Sequence, residues 1–141
     1  MDETPRPLED IRREIDALDH RIHDALMARA ALVAGVRIAK GSGGAILRPG
    51  REAAVLRRLV ARHSGDLDPS VVVRIWREIM TASSRQQGPF SVAVATAAAG
   101  GAGLELARGH FGMLTTLQPS SSIAQAIRAV TEGRAQAALV P

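Results

Sequence analysis

Residues able to do chemistry gather around one glycine-rich stretch, KGSGGAILRPGRE, at positions 40–52. Lys40 precedes the glycines, and Arg51 and Glu52 follow them. A phosphate-binding loop needs the opposite order, with the lysine and a Ser or Thr after the glycines at the start of a helix. Two interpretations stay open: a plain hinge between helices, or half of a binding site closed around a ligand.

Lys40 is the only lysine among 18 basic residues, all the others being arginines. A compact ammonium on a flexible stem suits a single oxygen atom, whereas the guanidinium fork suits a carboxylate. Lys40 is therefore a candidate for a chemical role. A cation at a helix end also complements the helix dipole, so a structural role stays open.

Two arginines occupy the same amphipathic pattern as Lys40. Arg29 lies eleven residues before Lys40, which places both within roughly 20° of one helix face. Arg12 lies a further seventeen residues back, about 25 Å along the axis and roughly 100° around it. One small ligand could contact both arginines only if Arg12 came from an antiparallel partner helix.

Ser83 and Gln87 stand one turn apart where an apolar helical stripe ends. Exposure at a fraying helix end would explain them equally well. Taken with the cations and Glu52, they describe a water-poor pocket for a small polyanion that carries a hydroxyl group. No nucleophile with an adjacent base, metal set or cofactor loop accompanies them.

Three helices must position these side chains. The first runs to about Lys40 and is roughly 50 Å long, more than a small monomer can cover, so a homodimer is expected. The second begins after Pro49-Gly50 and ends at His63-Ser64-Gly65. The third opens with Asp68 as N-cap and Pro69 at its first position. The first helix is predicted from apolar residues three or four apart or at multiples of these spacings: Ile11, Ile15, Leu18, Ile22, Leu26, Val33 and Val36.

The composition changes at Gly88, which predicts a helical domain at 1–88 and a second segment at 89–141. In the second segment the strand-like runs SVAVA, MLTTL and AALVP alternate with helical runs. This order predicts a small parallel βαβαβ sheet. The run Ser120 to Ser122 before the last helix could cap that helix or bind an anion, and capping is favoured.

Composition narrows the function classes. The chain has no cysteine and its four histidines are scattered, so no metal site is expected. The net charge is +4, but the cations alternate with acids and there are only three aromatic residues, which argues against nucleic acid. No apolar run approaches about 18 residues and no basic leader opens the sequence, so a cytoplasmic protein without a membrane span is expected.

The segment 8–87 resembles the all-helical chorismate mutases. The resemblance is carried by IRREIDALDHRIHDALMARAALVAGVRIAK, then RPGRE, then a helix ending in SSRQQ. It implies an intertwined homodimer of three helices per chain that converts chorismate to prephenate without a cofactor.

The resemblance also implies a role for each candidate residue. Arg12 would reach a substrate carboxylate from the partner subunit, and Arg29 would bind one within its own subunit. Lys40 and Gln87 would donate to the ether oxygen of the breaking bond, and Glu52 would accept the ring hydroxyl.

The remaining anion-binding shell would come from Arg51 and Ser83. Arg48 is a departure, because members of the family often carry an acidic residue three positions before the Arg of the RE pair. A carboxylate contact would be lost there, although the backbone amide at Arg48 could still serve.

The implied reaction is an intramolecular rearrangement, which fits the missing nucleophile. The protein would fold the substrate into its reactive conformer and stabilise charge on the breaking C–O bond. Two alternatives stay open: an isochorismate pyruvate lyase, or a non-catalytic dimerisation or regulatory module.

The segment after Gly88 resembles the first part of a prephenate dehydratase domain through AVTEGRAQAALVP. The Thr-Arg-Phe motif of the dehydratases does not occur in the sequence. No dehydratase activity is therefore expected of this chain.

Overall fold

The computed structural model describes residues 6–41, 44–96 and 101–141. The chain divides into two compact units, one ending at Ala39 and one running from Lys40 to Pro141. The helices are α1 (Leu8–Lys40), α2 (Pro49–Ala61), α3 (Pro69–Gln87), α4 (Ala102–Phe111) and α5 (Ile123–Thr131). The strands are β1 (Ser91–Ala95), β2 (Thr116–Ser120) and β3 (Ala137–Leu139).

Helix α1 is continuous over 33 residues, which confirms the long first helix predicted from the periodicity. None of its side chains is buried, and apolar residues such as Ile15 and Ile22 are 50% and 58% exposed. Gly41 follows the helix with φ of +63°, a left-handed conformation that glycine adopts without a Cβ clash.

Helices α2 and α3 begin as their sequences predict. Pro49 and Pro69 stand in the first turns, where the missing N–H breaks no hydrogen bond. The Asp68 carboxylate accepts a hydrogen bond of 2.8 Å from the Ser70 amide and caps α3. Three helices are thus confirmed among the residues described between positions 8 and 87.

The predicted βαβαβ order after Gly88 is also confirmed. The three strands form a parallel sheet in the order β2-β1-β3, with α4 and α5 as the connections. Ser122 caps α5 by accepting from the Gln125 amide at 3.2 Å, so the capping interpretation of the serine run is confirmed.

The position predicted for the second strand was wrong by three residues. The strand begins at Thr116, not at Met113, and continues through Pro119 to Ser120. Met113 and Leu114 lie in the preceding turn and are 60% and 74% exposed. Their apolar character indicated a strand, but an apolar run alone does not show which residues the neighbouring strand will pair. Proline is tolerated because β2 is an edge strand.

Side chains of β1 alternate between the two faces of the sheet, and a cluster of buried residues forms on each. Ala93 and Ala95 join the cluster that contains Ala126 and Ala129 of α5. Val92 and Val94 join the cluster that contains Ala107 of α4 and Phe90, the residue before β1. Two residues from outside the sheet segment, Ile46 and Leu47, also pack on the second cluster.

Candidate functional site

Lys40 and Gln87 are brought together although 47 positions separate them in sequence. The Lys40 ammonium donates to Gln87 Oε1 at 3.0 Å and to the carbonyl oxygen of Ala45 at 3.2 Å. Both partners of the first bond lie in the unit that runs from Lys40 to Pro141. The cationic donor Lys40 and the neutral donor Gln87, which were predicted to act on one oxygen atom, are therefore neighbours.

The glycines after Lys40 shape the path of the chain around its side chain. Gly41 turns the backbone out of the helix. A Cβ built on Gly44 would lie 2.8 Å from Lys40 Cδ, so the lysine stem runs against this glycine and a larger residue there would displace it. Ser42 and Gly43, which also belong to the glycine-rich stretch, lie outside the described residues.

Gln87 and Ser83 are linked to α3 by hydrogen bonds of their own. The Gln87 amide nitrogen donates to the Ser83 carbonyl oxygen at 3.2 Å. The buried Ser83 hydroxyl donates to the Ile79 carbonyl oxygen one turn earlier at 2.8 Å. These bonds orient the amide of Gln87 with its oxygen toward Lys40.

Counting donors shows what the Lys40–Gln87 pair can still do. An ammonium has three N–H donors and a carboxamide has two. Within the described part of the chain, Lys40 uses two and Gln87 uses one. One donor remains on each of two adjacent groups, and two such donors can converge on a single acceptor oxygen of a ligand.

Glu52 lies in the first turn of α2 as a half-buried carboxylate. Burial raises the pKa of this carboxyl, and the Arg77 guanidinium partly opposes the rise. Its side chain accepts no hydrogen bond from any described residue. A carboxylate placed in this way can accept a hydroxyl group from a ligand.

Arg48 and Arg51 flank the start of α2, Arg48 as its N-cap residue. Both side chains are exposed, and neither donates to another described residue. Their guanidinium groups carry donors that a carboxylate could use. Arg48 contributes no side-chain cap, so its role in the fold of α2 rests on its backbone.

Arg12 and Arg29 lie on α1, in the unit that ends at Ala39. Arg12 is exposed and Arg29 is half-buried. Because α1 is one unbroken helix between them, they are about 25 Å apart along its axis. One small ligand cannot contact both arginines of the same chain.

Several groups at the site were not singled out from the sequence. They are the Ala45 carbonyl, Gly44 against the lysine stem, Arg77 near Glu52, and the apolar pair Ile46-Leu47. Only the last had a sequence signal, because two large apolar residues are unusual within a loop rich in glycine. The others depend on contacts between distant parts of the chain.

Among the described residues, no cluster of His, Asp or Glu is placed to bind a metal ion. None of the described helices combines the length and the apolar character needed to cross a bilayer.

The chain belongs to the type II chorismate mutase family, whose model matches residues 11–88. The match covers more than half of the sequence, and it contains every candidate site residue from Arg12 to Gln87. It ends where the helical region ends.

Curated relatives extend the similarity beyond the helical region. The bifunctional chorismate mutase/prephenate dehydratase of Stutzerimonas stutzeri is 33% identical over 140 residues, which cover 95% of this chain and 38% of the relative. The protein of the same name from Pseudomonas aeruginosa is 30% identical with the same coverage. A third, from Neisseria gonorrhoeae, is 37% identical over 82 residues, 58% of this chain and 22% of the relative. The chain thus spans 38% of the length of the first two, and no solved structure matches it significantly.

Proposed function

We propose that this protein converts chorismate to prephenate by a Claisen rearrangement, using residues 1–88. The reaction breaks the ether C–O bond and forms a C–C bond within one molecule, so no proton or group need be transferred to the protein. The protein must hold the reactive conformer and stabilise the negative charge that develops on the ether oxygen.

The observation that carries this proposal is the Lys40–Gln87 pair, 3.0 Å apart, within a segment of the chorismate mutase family. Each group has one donor left, and both remaining donors would point at the ether oxygen. Donors set in advance toward a developing charge contribute about 3 to 4 kcal/mol each in comparable oxyanion sites. The half-buried Glu52 would accept the ring hydroxyl and so fix the orientation of the ring.

The substrate carboxylates would be bound by arginines. Arg29 would bind one carboxylate in its own subunit, and Arg12 the other from a partner subunit, since the two are too far apart on one helix. Arg51 would complete the shell from the start of α2, with the Arg48 backbone amide, and Ser83 would shape the pocket from α3.

A homodimer is part of the proposal. Isoleucines and leucines along α1 remain exposed on a helix with no buried side chain, including Leu18 at 50% and Ile22 at 58%. An apolar stripe of this length is what a second copy of the helix would cover. The same pairing would bring Arg12 to the partner's site.

The first experiment is chorismate consumption by the purified protein, with the product identified by mass spectrometry. Prephenate supports the proposal. Pyruvate released from isochorismate would assign a lyase instead, and a folded dimer with no turnover of either substrate would assign a non-catalytic module.

A subunit-mixing experiment tests the shared site. Arg12→Ala and Lys40→Ala are each expected to be inactive alone. If Arg12 acts across the interface, a mixed dimer has one doubly altered site and one intact site, so re-equilibrated equal mixtures should recover about a quarter of wild-type activity. No recovery after exchange of subunits would place Arg12 and Lys40 of one chain in the same site.

A further inference from the structure

The loop after Lys40 is packed into the core of the sheet segment. Ile46 and Leu47 are half-buried, and both contact the cluster formed by Phe90, Val92 and their neighbours. Phe90 is 6% exposed and Val92 is fully buried. A loop rich in glycine is thus held by two apolar side chains in addition to its two ends.

The held loop carries groups on both sides of the candidate site. Ala45, whose carbonyl oxygen accepts from Lys40 at 3.2 Å, directly precedes Ile46. On the other side α2 begins at Pro49, and the Glu52 amide donates to the Arg48 carbonyl oxygen at 3.1 Å. A shift of Ile46 would therefore move the lysine's backbone acceptor and the start of the helix that carries Glu52.

The end of α3 reaches the same anchor. Gln87 is followed by Gly88, Pro89 and Phe90, and β1 begins at the next residue. A Cβ built on Gly88 would lie 2.9 Å from Ile46 Cδ1, so the loop passes directly against the backbone beyond Gln87. Both members of the Lys40–Gln87 pair are tied to the packing of Ile46 on the cluster that contains Phe90.

A second contact fixes α3 against the sheet segment. The Glu78 carboxylate accepts from the Met113 amide at 2.9 Å, and the Arg77 guanidinium donates to the His110 carbonyl oxygen at 3.4 Å. Arg77 also lies 3.0 Å from His110 Nδ1. The helix carrying Ser83 and Gln87 is held upstream as well as at its end.

We propose that the α/β segment is a scaffold for the site, in which Ile46 and Phe90 are positioning residues that keep Lys40 and Gln87 aimed at one point. Its kinetic consequence rests on the proposed mutase function, whereas its structural consequence does not. Neither residue is among those proposed to contact the substrate. They act through the loop backbone and the end of α3.

The geometry explains why such an anchor matters. Two donors must meet on one oxygen atom, and a misplacement of about 1 Å at a reacting centre can cost about a hundredfold in rate. Shortening Ile46 to alanine leaves unfilled space beside the cluster that contains Phe90, and the backbone at Gly41 and Gly44 offers little resistance to relaxing into it. The effect should appear at the site, several residues away.

The test compares Ile46→Ala with two matched variants. Ile46→Val keeps most of the apolar contact, so its activity should stay close to that of the wild type. Val130→Ala removes apolar volume from the opposite face of the same sheet, where Val130 packs on the Ala93 cluster. For Ile46→Ala we expect kcat/KM for chorismate to fall about ten- to a hundredfold at a temperature where the protein is fully folded. Val130→Ala should lose comparable thermal stability with unchanged kcat/KM.

The single lysine gives a readout that does not depend on turnover. Acetylation of Lys40 by a limiting amount of N-hydroxysuccinimidyl acetate can be followed by mass spectrometry of the peptide that contains it. Ile46→Ala should be acetylated several times faster than wild type, because the Ala45 carbonyl no longer holds the ammonium in place. Val130→Ala should match wild type.

Equal kcat/KM and equal Lys40 acetylation in wild type and Ile46→Ala would overturn the proposal, as would the same changes in Val130→Ala. If Ile46→Ala does not fold, Phe90→Leu tests the anchor from the sheet side with the same two readouts and the same expected directions. Wild-type protein without mutase activity would defeat the proposed function, while the acetylation rates would still decide whether the scaffold exists.

Discussion

The helical region and the sheet segment differ in where they place charged and buried apolar residues. Only three of the 18 basic residues and two of the 14 acidic residues lie after Gly88. Conversely, Met80 is the single member of the buried apolar set in the described structure that precedes Gly88. The sheet segment buries its own core, whereas the helical region leaves apolar and charged side chains exposed.

From this contrast we expect substitutions in the helical region to affect mainly function and substitutions in the sheet segment to affect mainly stability. A region that presents cations toward a ligand gives up burial, because an ammonium or guanidinium cannot be placed in an apolar core without a partner. A neighbouring segment with its own core can supply the rigidity that such a region lacks. Four measurements test that division.

The largest effect is expected from Lys40→Ala. Loss of one donor to the developing charge should lower kcat by about a hundred- to a thousandfold. Stability should change little, since Lys40 is only half-buried and makes just two hydrogen bonds to described residues. The measurement is turnover of chorismate together with a thermal melt. Near wild-type turnover would show that Lys40 is not part of the site.

The next effect is on stability and compares the two regions directly. Val94 is fully buried, so Val94→Ala should lower the free energy of unfolding by about 2 kcal/mol at any protein concentration. Leu18 is half exposed on α1, and Leu18→Ala should act through the proposed dimer, with a loss that shrinks as dilution separates the subunits. Denaturant melts at two concentrations a hundredfold apart separate these cases. A concentration-independent loss for Leu18→Ala would argue against α1 as the dimer interface.

The contact of α3 with the sheet segment should be weakened by a substitution at Gly112. This residue has φ of +87°, and a Cβ there would lie 2.5 Å from Glu78 Oε2. Gly112→Ala should therefore strain the backbone and displace the Glu78 carboxylate, at a cost of about 1 to 2 kcal/mol. Trp76, the only tryptophan, reports on α3, and its fluorescence melt should shift to lower temperature. An unshifted Trp76 melt would show that the sheet segment does not stabilise α3.

The smallest effect is a pH dependence at Glu52, where burial raises the pKa above the ordinary 4.5. The folded protein holds this proton more tightly than the unfolded chain. The stability contribution is therefore complete below pH 4.5 and is lost as pH rises through the raised pKa. Activity should move the opposite way, because the ionised carboxylate is the better acceptor for the substrate hydroxyl.

The control for this pH dependence is Glu52→Gln, which has no proton to lose at this position. In this variant the decrease of kcat/KM at acid pH should disappear. Its free energy of unfolding should no longer fall as pH rises above 4.5. If the variant keeps the wild-type acid limb, another group produces it.

The sequence by itself determined the local elements and the kinds of residue at the site. Helix periods, the Asp68 cap, the proline starts and the alternation of SVAVA all act over a few residues, where backbone sterics and one buried face decide the structure. Residue type also marked Lys40, since it is the one lysine in an arginine-rich chain.

Tertiary structure alone decided which of these elements meet. The bond from Lys40 to Gln87 spans 47 positions, and the packing of Ile46 on the cluster that contains Val92 and Val94 joins a glycine-rich loop to a distant strand. The start of β2 at Thr116 and the influence of Arg77 on Glu52 are of the same kind. Such contacts depend on how whole elements pack, and a periodic pattern shows only that a face will be buried, not what will cover it.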